Sequence, residues 1–248
     1  MVPSNDRDWQ EPIGRFPARK DLQPELQEVL ESASRLQRLV PDAVLVGGSA
    51  AALYAGHRAS YDHDYDLREL RANFDLVLEA LESDDGWAVN RLTYGKIILG
   101  ELGGIETGLR QLIRLRPLEV AEVQLTIRNT VMVPTSEETL RIKAFLITKR
   151  NQTRNYLDVA ALADHVGLER AALVLSGMDE YYADQAHDGA AVSSQVARQL
   201  GHPLPNDSGT TTRLEGYKGL SARWLDWQET VNLCQQLSAQ MVSGEEES

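Results

Sequence analysis

Val44–Leu67 reads VLVGGSAAALYAGHRASYDHDYDL, and its reading decides the fold. Val44, Leu45 and Val46 make a short apolar run that suits a buried strand. Gly47-Gly48-Ser49 follows, where the backbone turns sharply and a ligand can come close. Ser49 is a good N-cap for Ala50–Ala55, whose composition favours a short helix. Arg58-Ala59-Ser60 then leads into Asp62-His63-Asp64-Tyr65-Asp66. If Tyr61–Leu67 is extended, Asp62, Asp64 and Asp66 share one face. Carboxylates that close repel, and a divalent cation is the natural compensator. Magnesium takes oxygen ligands and commonly binds one or two carboxylates together with substrate phosphates. Amides of Gly47-Gly48-Ser49 and the Ser49 hydroxyl, at a helix N-terminus, would hold those phosphates. A phosphate cradle followed by a metal-binding acidic strand is the logic of phosphoryl transfer.

The order of these residues resembles the nucleotidyltransferase superfamily. More narrowly it resembles the AbiEii/AbiGii-type toxin nucleotidyltransferases, whose pattern is GG[ST], a short helix, then R-x-S-x-D-x-D. Gly47, Gly48, Ser49, Arg58, Ser60, Asp62 and Asp64 match in order, and pairing Asp64 with Asp66 is the alternative register for the metal. The toxin family also carries K-x-x-A-x-x-x-R and then R-[DN]-x-x-D. Lys143, Arg150, Arg154, Asn155 and Asp158 echo that, with Ala144 directly after Lys143 and Asn155 where Asp is commoner. The resemblance spans roughly 44–164.

It implies an α/β (α+β) fold, a mixed-sheet nucleotidyltransferase core followed by a C-terminal helical domain. It implies Mg2+ (or Mn2+) as cofactor, an NTP as substrate, tRNA as acceptor and a cognate antitoxin as partner. Asp62, Asp64, Lys143 and Asp158 are then the catalytic set. Gly47, Gly48, Ser49, Arg58, Ser60, Arg150 and Arg154 bind the nucleotide. Asp62 and Asp64 bind the metal. A third carboxylate from a neighbouring strand is implied, with Glu122 the expected one and Glu119 its competitor on the other strand face. Asp158 either orients Lys143 or acts as a base. A small-molecule acceptor of the aminoglycoside type, or a catalytically silent module of the same fold, are the other readings.

Outside that stretch, the first 22 residues are polar with three prolines and read as an irregular arm. Residues 23–134 read as the core and 135–248 as the helical domain. Leu26, Val29, Leu30, Ala33, Leu36 and Val40 give Pro24–Val40 a helical stripe. Asn73 is placed to cap a helix over Phe74–Ser83. Trp87–Leu92 and Lys96–Leu99 read as strands, the glycine-rich Leu102–Gly108 as a loop, and Leu118–Arg128 as a strand. Thr135-Ser136-Glu137-Glu138 starts a helix. On a continuous helix Lys143, Arg150, Arg154 and Asp158 share one face, with Asn151-Gln152-Thr153 a break point. His63 points away from the aspartates as a neighbour, and the tryptophans of the last helix read as core.

Composition narrows the classes. Cys234 is the single cysteine among 248 residues, which excludes an intrachain disulfide and a cysteine-rich zinc site and suits a cytoplasmic setting. No apolar run is long enough to span a membrane, and the N-terminal stretch lacks a signal peptide's apolar core. A formal net charge of -12 gives no global attraction to nucleic acid, so RNA contact must use a local patch. Arg58, Lys143, Lys149, Arg150 and Arg154 are its candidates, with Arg213 and Lys218 beside them.

Overall fold

The computed structural model describes residues 12–185, 190–217 and 219–246. Arg15–Pro17 forms β1, so the segment read as an irregular arm in fact adds a strand; residues 1–11 and Lys218 lie outside the described residues. Helix α1 spans Pro24–Leu39, with proline in its first turn, and buries Leu26, Val29, Leu30, Ala33 and Leu36. Val40 precedes Pro41 and closes it, as proline disfavours the helical conformation before it. Val44–Leu45 (β2) leads directly into helix α2, Gly47–Ala55, which ends where Gly56 takes φ 62°. The next elements are β3 (His63–Leu67), α3 (Phe74–Glu82), β4 (Trp87–Thr93), β5 (Ile97–Leu102) and β6 (Ile105–Gln111). After them come β7 (Val120–Gln124) and β8 (Thr130–Pro134).

Two mixed sheets result. The five-stranded sheet runs β2-β3-β6-β5-β4, with β3 and β6 parallel and the other pairs antiparallel. The three-stranded sheet runs β1-β7-β8, with Arg15 opposite Glu122. The stretch read as a glycine-rich loop over 102–108 therefore holds a tight turn at Gly103-Gly104 and most of β6. Its β6 half is a central strand, buried at Thr107, Gly108 and Leu109.

Helices make up the rest: α4 (Ser136–Arg150), α5 (Thr153–Val166), α6 (Leu168–Ser176), α7 (Met178–Tyr181), α8 (Val192–Gly201) and α9 (Trp227–Glu246). Thr135 caps α4 by accepting from the Glu138 amide at 3.1 Å. Asn151, at φ 47°, ends α4, and α5 folds back against it. Helix α2 lies against α5, β3 and α4, and Ser49 through Tyr54 are all buried. A single apolar cluster runs from Leu26 to Met241 and joins the sheet-rich and helical parts. Trp224 is buried in it and Trp227 packs against it, Trp227 meeting Tyr156 edge-on.

Candidate active site

Strand β3 alternates: His63, Tyr65 and Leu67 are buried, while Asp64 and Asp66 turn to the other face. Asp62 lies just before the strand rather than within it, but all three carboxylates line one cleft of ≈ 270 Å³. That size is near the small end of ligand sites. His63 is not part of the cleft; its ring lies between Ser32 (3.1 Å) and Thr107 (3.3 Å), and burial pushes its pKa down to about 4. The Ser60 hydroxyl donates to Asp62 Oδ1 at 3.0 Å and orients that carboxylate. Arg110 Nη2 lies 3.3 Å from Asp64 Oδ1. Burial and then the charge of Asp64 raise the Asp66 carboxyl to about 7.

Helix α2 starts three residues earlier than its serine suggested. Val46, not Ser49, is the N-cap, and Gly47 and Gly48 are the first helical residues. The first amides of a helix have no carbonyl partner within it, and Ala50 is the first to bond back, to Val46 at 3.4 Å. The Ser49 hydroxyl is turned inward and donates to the Asp62 carbonyl at 2.6 Å. It is a tie that fixes the acidic segment, which corrects the expectation of a phosphate-binding hydroxyl. Both glycines are demanded by close approach. Gly47 has φ +73°, and a Cβ on it would lie 3.2 Å from Asp64 Oδ2; one on Gly48 would lie 2.7 Å from Ser60 Oγ and 2.8 Å from Arg58 Nη2. The helix N-terminus thus abuts the acidic strand.

The opposite wall is basic. Asp158, fully buried on α5, accepts from Arg58 Nε (2.7 Å), Arg58 Nη2 (3.0 Å) and His57 Nε2 (2.7 Å), and pairs with Lys143 Nζ at 2.7 Å. A carboxylate only accepts, so Nε2 carries the His57 proton, and among the described residues Nδ1 has no hydrogen-bond partner. Burial lowers the His57 pKa against the pull of Asp158, so the ring is neutral. Arg58 and Lys143 hold the Asp158 carboxyl well below its usual range despite its burial. Both oxygens of Asp158 are committed, and it does not line the cleft. Two cations on one carboxylate leave a net positive charge, carried to the cleft by Arg58 and Lys143. Burial, foremost, lowers the Lys143 pKa.

Arg150 and Arg154 also line the cleft, from either side of the Asn151 break. Burial, then the charges of Arg154 and Arg110, lowers the Arg150 pKa, so three guanidiniums are held together. Among the described residues none of them but Arg110 has an ion-pair partner. Such a cluster invites polyanionic phosphate.

Glu122 is not in this site. It stands on β7 of the other sheet and accepts from Arg15 Nε at 2.8 Å. Glu119 is equally committed, to Arg141 (2.9 Å) and Tyr181 (2.5 Å). The strands beside β3 are β2 and β6, and opposite Asp64 and Asp66 β6 offers Gly108 and Arg110. Gly108 makes room for Asp64, since a Cβ there would lie 2.7 Å from Asp64 Oδ1. Among the described residues no three acidic, histidine or cysteine groups converge closely enough to cage a metal. The donors present are hard oxygens on Asp62, Asp64 and Asp66 facing a cation-rich wall. They fit an ion that completes its shell with water and substrate phosphate, as magnesium does, and not a closed structural site. Arg110, Gly108, His57 and Tyr217 escaped the sequence reading. His57 alone had a local clue, being next to Arg58 in the motif. Arg213 does not line the cleft.

Comparison with known proteins places the fold. No family model matches the chain. A solved structure, a putative nucleotidyltransferase from H. pylori, superposes with TM-score 0.52 at 16% identity, covering 92% of this chain and 99% of that one. The protein therefore has the nucleotidyltransferase fold. In sequence it is similar to the heme uptake protein MmpL11 of Mycobacterium tuberculosis, 29% identical over 247 residues, 88% of this chain and 23% of that protein. It is also similar to the mycolic acid-containing lipids exporter MmpL11 of Mycolicibacterium smegmatis, 33% identical over 129 residues, 52% of this chain and 13% of that protein. The chain thus spans less than a quarter (23%) of the length of these curated relatives. Among the described residues no helix is long and apolar enough to cross a membrane.

Proposed function

We propose that the protein is a magnesium-dependent (or manganese-dependent) nucleotidyltransferase that moves an NMP from an NTP to an acceptor hydroxyl. The carrying observation is one cleft that joins Asp62 and Asp64, the N-terminus of α2, and the Lys143/Arg110/Arg150/Arg154 wall. Asp62 and Asp64 would hold the ion, which when bound neutralises phosphate charge and polarises the reacting oxygens. Amides of Gly47, Gly48 and Ser49 take phosphate oxygens at the positive end of α2. Arg110, Arg150 and Arg154 attract the triphosphate, and Lys143, fixed by Asp158, places a charge where negative charge builds up. The acceptor oxygen bonds to the α-phosphorus, the bond from that phosphorus to the bridging oxygen breaks, and pyrophosphate leaves. The hydroxyl proton passes to a carboxylate of the acidic strand.

The motif resemblance supports the finer reading: a toxin of a toxin–antitoxin pair, with the end of a tRNA as acceptor. A chain of net charge -12 has a small basic patch in its cleft, enough for an RNA end and not for a broad footprint. The same acidity suits a cationic small acceptor such as an aminoglycoside, which is the rival. The test is incubation with labelled NTP, magnesium and either total RNA or a set of aminoglycosides, at low and moderate salt. Label that enters RNA, falls with salt and disappears in Asp62→Ala supports the tRNA reading. Label entering only the small molecules transfers the assignment to them, and label entering neither leaves a silent module.

A further inference from the structure

Three aromatic rings line the cleft: Phe145, Tyr182 and Tyr217. Phe145 and Tyr182 are stacked on each other with centroids 4.2 Å apart, and both are buried. Tyr217 differs. Part of it packs against the core and part stays open to the cleft, and among the described residues its hydroxyl has no hydrogen-bond partner.

This ring comes from far along the chain and is firmly set. It follows a 3-10 turn, Leu214–Gly216, and its amide donates to the Leu214 carbonyl at 2.9 Å. Beyond it, the Ser221 amide donates to the His57 carbonyl at 2.8 Å, and Gln23 Nε2 to the Gly219 carbonyl at 3.2 Å. A Cβ on Gly219 would lie 2.8 Å from Ala59 Cβ, so this segment lies directly on the His57–Ala59 backbone. The ring therefore stands beside Arg58 and Arg154, in a cleft whose other groups there are charged. Burial raises its phenol pKa, so it is a neutral ring at physiological pH.

A nucleoside triphosphate has two chemically distinct ends. Its phosphates find the cations and the helix N-terminus. Its base needs a flat, preset apolar face, and stacking on an aromatic ring supplies one for any base. We propose that Tyr217 is the platform on which the base of the nucleoside triphosphate stacks. This rests on the nucleotidyl-transfer reading and adds the C-terminal segment to the nucleotide site.

The experiment is calorimetric titration, in magnesium, of ATP and separately of inorganic tripolyphosphate, which has the charge but no base. The variants are Tyr217→Ala, Tyr217→Leu and Tyr217→Phe, with thermal melts to confirm folding; leucine keeps the packing on the core without the ring. Alanine and leucine should each weaken ATP roughly tenfold or more and leave tripolyphosphate within about twofold, and phenylalanine should bind ATP like the parent. Stacking is overturned if alanine and leucine leave ATP affinity unchanged. It is also overturned if they weaken both ligands equally, or if phenylalanine loses as much as alanine, since the hydroxyl would then be the contact. A parent protein that binds neither ligand overturns the nucleotidyl-transfer reading itself and the platform with it.

Discussion

Asp158→Asn tests the role of the buried carboxylate most directly. Asparagine keeps the shape and removes the charge. Arg58, with 11% of its side chain exposed, and Lys143, with 5%, would then be buried cations without a counter-charge. Breaking a buried pair by removing one partner costs about 3–5 kcal/mol. A domain of this size loses about 2–4 °C of melting temperature per kcal/mol, so the expected drop is roughly 6–20 °C. Lys143, whose pKa burial already lowers, can relieve part of this by losing its proton, which favours the lower half of that range. Thermal unfolding at pH 7.5, followed by circular dichroism, measures it. Adding Lys143→Met to Asp158→Asn should recover part of the loss, because one orphaned charge goes. An Asp158→Asn protein that melts within 2 °C or so of the parent yet cannot transfer nucleotide would refute the reasoning. The carboxylate would then be a chemical base and not an anchor.

Other outcomes follow from the same geometry. NTP affinity should collapse in EDTA, and Asp64→Asn should weaken the magnesium-dependent part while the melting temperature holds or rises, as a like-charge contact is relieved; equal affinity with and without magnesium, by calorimetry, counts against the metal role. Gly47→Ala should abolish that metal-dependent binding without unfolding the chain, since the added Cβ lies 3.2 Å from Asp64 Oδ2 at φ +73°; a fully active variant would mean the cradle is not used. Lys143→Ala or Arg110→Ala should slow transfer strongly, by about 2.7–4 kcal/mol of barrier if each stabilises developing charge, whereas exposed Lys149→Ala should do little; matching rates would dissolve the wall as a functional unit. His57, with a folded pKa below its unfolded value near 6.5, gives stability that is present above that pH and is lost as pH falls through the window beneath it, while Asp66, raised to about 7, contributes with the opposite sign. Urea unfolding between pH 7.5 and 5 should show a smaller loss of stability on acidification in His57→Gln than in the parent, the parts due to His63 and Asp66 being common to both; the same dependence in the two proteins counts against a buried neutral ring.

The acidic and glycine-rich halves of the site were legible because they are local: Gly47, Gly48, Asp62 and Asp64 lie within one short stretch, and pattern alone sets them together. What escaped depends on pairing between distant segments. Glu122 alternates with buried neighbours along its strand, but alternation does not say which sheet a strand joins, and β7 joins β1 and β8. Arg110 meets the aspartates only because β6 runs parallel beside β3, with a stretch of hairpin and helix between them. The glycines of Leu102–Gly108 concealed that strand, two of them making its turn and Gly108 leaving space for Asp64. Lys143 and Asp158 were predicted to share a helical face; they meet instead across a helix pair, because Asn151 adopts a left-handed conformation and sends α5 back along α4. Asn151 Nδ2 is held by the Leu204 carbonyl at 2.8 Å, a contact with no local signature.

The wiring of β3, Asp158 and Tyr217 also sets a timetable. On a ribosome the acidic strand emerges long before β6 can pair with it, and Arg58 is made well before Asp158 exists to receive it. At about 5–20 residues per second, roughly 5–20 s separate Asp62 from Asp158. Tyr217 and the Ser221 amide that rests on His57 come later still. A nascent chain thus carries the Gly47–Asp64 motif without its counter-charges, and the cleft is complete only once Tyr217 has been made.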